Sequence, residues 1–144
     1  MVESRLLRLH YFPAQGRAQG IRYALVCGGV PFEDIPATGG GVANDADKKL
    51  WLTLGGNTTT NVPLLTDGEH HWSQSNAVLK VAGRKAGLMP ANDEDIFTVE
   101  KLLCDAADLQ GASFKAVTMF GAPREAQQNF KNVDIPKHVG NIER

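Results

Sequence analysis

The chain has 144 residues, enough for one domain with a real core or for a small domain plus part of a second. Hydrophobic residues make up 42% and charged residues 22%, the balance of an ordinary globular protein. Lys plus Arg number 15 and Asp plus Glu 16, so the net charge is -1. That excludes a general attraction to nucleic acid or to an anionic membrane surface, and any anion site must be built locally.

The opening segment, MVESRLLRLHYF, carries Glu3, Arg5 and Arg8 and no apolar run of signal-peptide length. No stretch has the apolar length of a membrane helix. Cys27 and Cys104 are far apart, with no CxxC and no metal-type Cys/His spacing. These features predict a reducing, cytoplasmic compartment, no disulfide and no bound metal. Cys27 reads as a small buried helix residue. His10, His70, His71 and His138 read as strand or surface residues.

In chain order, Arg5 to Phe12 alternates and is rich in Leu, His, Tyr and Phe, which predicts a strand. Pro13 and Gly16 break it. Ile21, Ala24, Leu25 and Gly28 then recur at helical spacing from Arg17 onward, and Gly28-Gly29 stops that helix. Pro31 to Ile35 is a second short strand, weakened by Glu33 and Asp34. Thr38 to Gly41 is a glycine-rich loop without the Lys-Ser/Thr ending of a phosphate loop. Asp45 to Leu54 predicts a short irregular helix, and Gly55 to Asn61 a polar loop.

Val62 to Thr66 predicts the next strand, Asp67-Gly68 a hairpin turn, and His70 to Gln74 the returning strand. Ser75 is placed to cap a helix whose buried face holds Ala77, Val78, Val81 and Ala82, with Lys80, Arg84 and Lys85 late in it and Gly87 at its end. The order strand, helix, strand, helix, hairpin, helix is the thioredoxin-like βαβαββα arrangement, an α/β fold with the Arg17 to Cys27 segment as its parallel crossover. Pro90 to Asn92 makes a linker. A new helix follows, led by Asp93, Glu94 and Asp95, with an apolar face of Ile96, Val99, Leu103 and Ala106. Gly111 ends or bends it, Pro123 starts a further helix, and Pro136 interrupts or restarts that one.

Three places carry candidate chemistry. Tyr11 ends the first strand before the first crossover helix, where ligands bind in open α/β sheets. A phenol there can donate to a thiolate and lower a thiol's pKa, although by position alone a packing role is the commoner one. Pro63 can hold a cis peptide that exposes the Val62 backbone for pairing with an extended peptide, or can simply start a strand in trans. Gln74-Ser75 opens a helix, where free N–H groups and a hydroxyl bind a carboxylate or form an ordinary cap.

Taken together, YFPAQGRAQGIRYAL, then NVPLLTDGEHHWSQSNAVL, then GLMP and an acidic-led helix resemble the cytosolic glutathione transferases of the tyrosine type, the sigma, pi, mu and alpha classes. The likeness is dense from Leu6 to Gly87 and continues more loosely through EDIFTVEKLLCDAADL and IPKHVGNIER. It implies a thioredoxin-like glutathione-binding domain over 1–87, followed by the start of the family's all-helical C-terminal domain over 92–144.

The resemblance also implies roles. Tyr11 would stabilise the glutathione thiolate, which attacks a small apolar electrophile as an activated nucleophile. Val62, before Pro63, would pair with the cysteinyl backbone. Gln74 and Ser75 would hold the γ-glutamyl carboxylate. Arg17 matches a basic residue near the site, or is a solvated helix-start arginine. Trp51 resembles the tryptophan at the glycyl end, or packs under a loop. The Lys that often follows it is missing from LTLGGNTTT, with Lys48 and Lys49 as substitutes. Asp105 is the candidate for an acidic residue reaching the partner subunit's site, or is a surface helix charge. Phe12 and Pro13 are candidate walls of the electrophile pocket. Glutathione would be a co-substrate, with no separate cofactor, and the protein a homodimer with a role in detoxification.

Family members are longer than this chain, so the resemblance implies a C-terminal domain truncated after its first helices, with exposed apolar surface. Two functions compete: a transferase of reduced activity, and a non-catalytic binding or assembly module on the same fold. A glutaredoxin-like oxidoreductase is disfavoured, because no cysteine lies near Tyr11.

Overall fold

A computed structural model describes residues 5–55, 61–116 and 121–143. Contacts divide the chain into two compact units, Met1–Met89 and Pro90–Arg144. The first unit is built on β1 (Leu7–Tyr11), a 3-10 turn (Gly16–Ala18), α1 (Gln19–Cys27), β2 (Phe32–Pro36), α2 (Asp45–Gly55), β3 (Leu64–Thr66), β4 (His71–Trp72) and α3 (Ser75–Lys85). Residues 56–60 of the expected polar loop lie outside the described residues.

The four strands form one sheet in the order β2-β1-β3-β4, with β1 and β2 parallel and the other two pairings antiparallel. Register decides which side chains share a face. Leu9 stands opposite Asp34 on one side and Leu65 on the other. His10 stands opposite Ile35 and Leu64, on the reverse face. Leu9, Ile21, Leu25, Leu64, Leu65 and Val78 are fully buried and form the centre of the core. Each such side chain contributes roughly 1.5–3 kcal/mol by leaving water.

The edge strand β2 carries Glu33 and Asp34 because each meets an arginine. Glu33 pairs with Arg8 of β1 at 3.1 Å, and Asp34 pairs with Arg22 of α1 at 2.6 Å. The α1 positions Ile21, Ala24 and Leu25 are buried, as their spacing predicts. Cys27 is exposed rather than buried, because it lies outside that stripe in the last position of the helix. In α3 the buried positions are Val78, Ala82 and Gly83, while Ala77 faces solvent.

Two hubs shape the loops. Asn44 and Asp47 cap α2 reciprocally: the Asp47 N–H donates to Asn44 Oδ1 at 2.9 Å and the Asn44 N–H to Asp47 Oδ2 at 3.1 Å. The same carboxylate accepts from the Thr38 N–H, the Thr38 hydroxyl and the Gly39 N–H at 2.8–3.1 Å. These donors, the Thr38 N–H first, hold the Asp47 carboxyl down at about 2 against the opposing effect of desolvation. In the β3–β4 hairpin the Asp67 carboxylate accepts from the Glu69 and His70 N–H groups, and its pKa is likewise lowered to about 2, led by the His70 N–H.

The second unit holds α4 (Asp93–Ala116), α5 (Arg124–Asn129), a π-helical segment (Phe130–Asp134) and α6 (Ile135–Ile142). Asn92 starts α4 by accepting from the Asp95 N–H at 2.9 Å. The helix runs through Gly111 without ending there: one glycine costs about 1 kcal/mol, too little to stop a 24-residue helix. Ile96, Val99 and Leu103 are half-buried, but Ala106 is exposed. Pro136 falls in the first turn of α6, next to the π-helical segment, whose wider winding accommodates the ring and the missing N–H. No described helix is long and apolar enough to cross a membrane.

Candidate functional site

The carboxyl end of β1 places Tyr11 at the edge of the first unit's core, 7% exposed. Its ring meets Phe12 edge-on at 5.4 Å, and Phe12 meets Trp51 of α2 edge-on at 5.6 Å. The phenol oxygen accepts the Arg17 backbone N–H at 2.9 Å. Gly16 allows that approach: its φ is +40°, and a Cβ there would stand 2.5 Å from the phenol oxygen. Because the oxygen is the acceptor in this bond, the hydroxyl proton is left to be donated elsewhere.

Beside this end of the sheet lies a cavity of about 370 Å³, lined by Arg17, Asn61, Val62, Pro63, Gln74 and Ser75. The peptide between Val62 and Pro63 is cis. Gln74 has φ 72° and ψ 110° and is the one non-glycine residue with positive φ among those described. Such a conformation costs on the order of 1–3 kcal/mol and clusters at ligand sites. Gln74, not Ser75, occupies the N-cap position, and its side chain makes no capping bond. Ser75 is therefore the first helical residue. The start of α3 lines the cavity through Gln74 and Ser75, and the first-turn N–H groups of a helix have no partner within it.

The structure thus brings Arg17, Val62, Pro63, Gln74 and Ser75 around one cavity, with Tyr11 bonded to the backbone of one of them. Asn61 joins them, and sequence reasoning missed it. Its Oδ1 accepts the Val62 N–H at 2.8 Å, so the donor expected to pair with a peptide is engaged by the preceding side chain. A polar residue directly before Val62-Pro63 is the only signal the sequence offered. Trp51 lies outside this lining and is buried in the core, 5% exposed, against Phe12. Asp105 belongs to the other unit, on α4, where Lys101 stands 3.7 Å from its carboxylate.

No protein-family model matches the sequence. Rat glutathione S-transferase Mu 2 is 34% identical over 105 residues, covering 71% of this chain and 48% of that protein. The class-mu 28 kDa glutathione S-transferase of Schistosoma haematobium is 29% identical over 130 residues, covering 88% of this chain and 58% of that protein. Among solved structures, the sigma class enzyme of Fasciola hepatica matches with a TM-score of 0.73 at 27% identity, covering 97% of this chain and 66% of that one.

The homologues are glutathione S-transferases.

The fold agrees with theirs: a thioredoxin-like domain with a four-stranded mixed sheet, followed by a helical domain. The Ascaris lumbricoides glutathione S-transferase, at a TM-score of 0.71 and 23% identity, supports the fold alone. The chain spans about half the length of the curated relatives it matches.

Proposed function

We propose that the first unit, over residues 1–87, binds glutathione in the 370 Å³ cavity and that the protein is a glutathione transferase of the tyrosine type. The single observation that supports this most is the bond from the Arg17 N–H to Tyr11 Oη, which orients a phenol beside a polar cavity as acceptor, with its proton uncommitted among the described residues. In this reading Tyr11 donates to the glutathione sulfur and stabilises the thiolate. The α3 N-terminus at Gln74 and Ser75 receives the γ-glutamyl carboxylate, with Arg17 as a nearby cation. Val62 pairs with the cysteinyl backbone once the Asn61 side chain yields its N–H.

The chemistry is nucleophilic substitution. The thiol proton passes to solvent, the sulfur electron pair forms a bond to the electrophilic carbon, and the leaving group departs with the bonding pair. Apolar electrophiles, a cytoplasmic location, detoxification, a homodimer and a helical domain over residues 92–144 complete the reading. Trp51 at the glycyl end and Asp105 at the partner subunit's site are its outermost assignments, since neither lines the cavity.

Retention on immobilised glutathione and conjugation of a chromogenic aryl halide test it, for the native chain and Tyr11→Phe. The transferase reading predicts retention in both and turnover that falls sharply in the variant. Retention with no turnover in either protein supports the non-catalytic module instead. No retention by the native chain overturns the glutathione assignment.

A further inference from the structure

Arg22 of α1 does not line the cavity, yet its one side chain makes three kinds of contact around Tyr11. Its Nε and Nη2 donate to the two carboxylate oxygens of Asp34 at 2.6 and 3.3 Å. Its Nη1 donates to the carbonyl oxygen of Ala14 at 2.8 Å. Its guanidinium carbon lies 5.8 Å from the centroid of the Tyr11 ring, within the range of a cation–π contact. An arginine that only joined α1 to β2 would need the first contact alone.

The other two contacts converge on the phenol. Ala14 opens the loop that leads through Gly16 to Arg17, whose N–H donates to Tyr11 Oη. The guanidinium therefore holds both the loop that carries the donor and the ring that carries the acceptor. Arginine suits this task because its planar fork presents several donors in fixed directions, whereas lysine offers one point charge. The side chain is only 18% exposed, so its charge is weakly screened. Asp34 from β2 offsets part of that charge, so the contacts that place the phenol carry the argument.

Resting on the glutathione reading above, we infer that Arg22 is a positioning residue for Tyr11, fixing the ring and the Ala14–Arg17 loop as one unit that favours a bound anionic sulfur. Arg22 touches no substrate in this account. It acts through the phenol.

The test is an ultraviolet titration of the glutathione thiolate bound to the full chain, native and with Arg22→Met or Arg22→Lys, alongside glutathione affinity and thermal melting. In both variants the bound thiol should titrate higher than in the native protein, by roughly half a pH unit or more in Arg22→Met, as expected for loosening one oriented hydrogen bond. Affinity should change less than about threefold, because the cavity lining is untouched. A purely structural arginine would lower the melting temperature and leave the titration of the bound thiol in place. Arg22→Lys keeps the charge and most of the packing, so it carries the test even if Arg22→Met does not fold. A folded variant with the native titration overturns the inference. Absence of glutathione binding by the native chain overturns the functional reading beneath it, a distinct result.

Discussion

Substituting Gly16 with alanine perturbs Tyr11 without touching it chemically. Two costs follow from the structure. A φ of +40° is unfavourable for alanine by about 1–2 kcal/mol. The new Cβ would also stand 2.5 Å from the phenol oxygen and 3.1–3.2 Å from two ring carbons, where ordinary contact begins at 3.4 Å. Relief requires the oxygen and the loop to separate by about 0.9 Å, which stretches the 2.9 Å bond from the Arg17 N–H well beyond hydrogen-bond range. A misplacement near 1 Å at a reacting group costs on the order of 10²-fold in rate. Gly29→Ala is the control: its φ is +64° and no atom lies within 4 Å of the added carbon, so it carries the backbone cost alone. Urea denaturation and aryl-halide conjugation on both variants form the assay. Both should lose about 1–2 kcal/mol of stability or slightly more, and only Gly16→Ala should lose turnover, approaching Tyr11→Phe. Native turnover in a folded Gly16→Ala protein would refute the claim that the loop orients the phenol.

Other predictions concern protons. Burial, and next the charge of Arg8, lower the pKa of His10 below its ordinary 6.5, against a smaller opposing effect of Glu33 and a further lowering by His71. His10 is therefore neutral in the folded chain at pH values where the unfolded chain begins to bind a proton. Its contribution to stability is fully present above about pH 6.5 and is lost as pH falls toward its lower folded value. Urea midpoints measured from pH 7.5 down to 5 should fall, and His10→Leu should flatten that fall; an unchanged slope would contradict it. For Asp47, held at about 2, the stabilisation is present above the ordinary carboxylate range and is lost as pH drops from about 4 toward 2. Asp47→Ala should lower the melting temperature at pH 7 and lose most of its difference from the native chain near pH 2.

Much of the first unit was legible because its periodicity reports burial. Ile21, Ala24 and Leu25 recur at helical spacing and are buried on α1. Asp67-Gly68 announces a hairpin, and Asp67 Oδ1 does organise it. β2 was less legible, since Glu33 and Asp34 look unlike a strand until Arg8 and Arg22, 25 and 12 residues away, are seen to pair with them. Local pattern carries no information about partners at that separation. The reciprocal Asn44–Asp47 cap is local to the start of α2, but the reach of the same carboxylate back to Thr38 and Gly39 is a loop property. Gly111 misled because it is a local breaker whose cost a long helix absorbs, whereas Pro136 does mark the start of a helix, in the first turn of α6.

The site shows the same division. The resemblance to glutathione transferases singled out Arg17, Val62, Pro63, Gln74 and Ser75, and the fold gathers all five around one cavity. The positive φ of Gln74 was hidden, since nothing in a glutamine announces that conformation. Asn61 was hidden because its effect is on its neighbour's N–H. Arg22 gives no signal in the sequence, because its contacts to Ala14, Asp34 and the Tyr11 ring come from three separate segments.

The central claim is that Tyr11 holds a glutathione thiolate. The measurement that tests it most directly is the ultraviolet thiolate signal of glutathione bound at neutral pH to the native chain and to Tyr11→Phe at matched saturation. A strong thiolate signal is expected with the native chain and a weak one with the variant, with similar affinities. Equal thiolate signals in the two proteins, or no binding to the native chain, would contradict it.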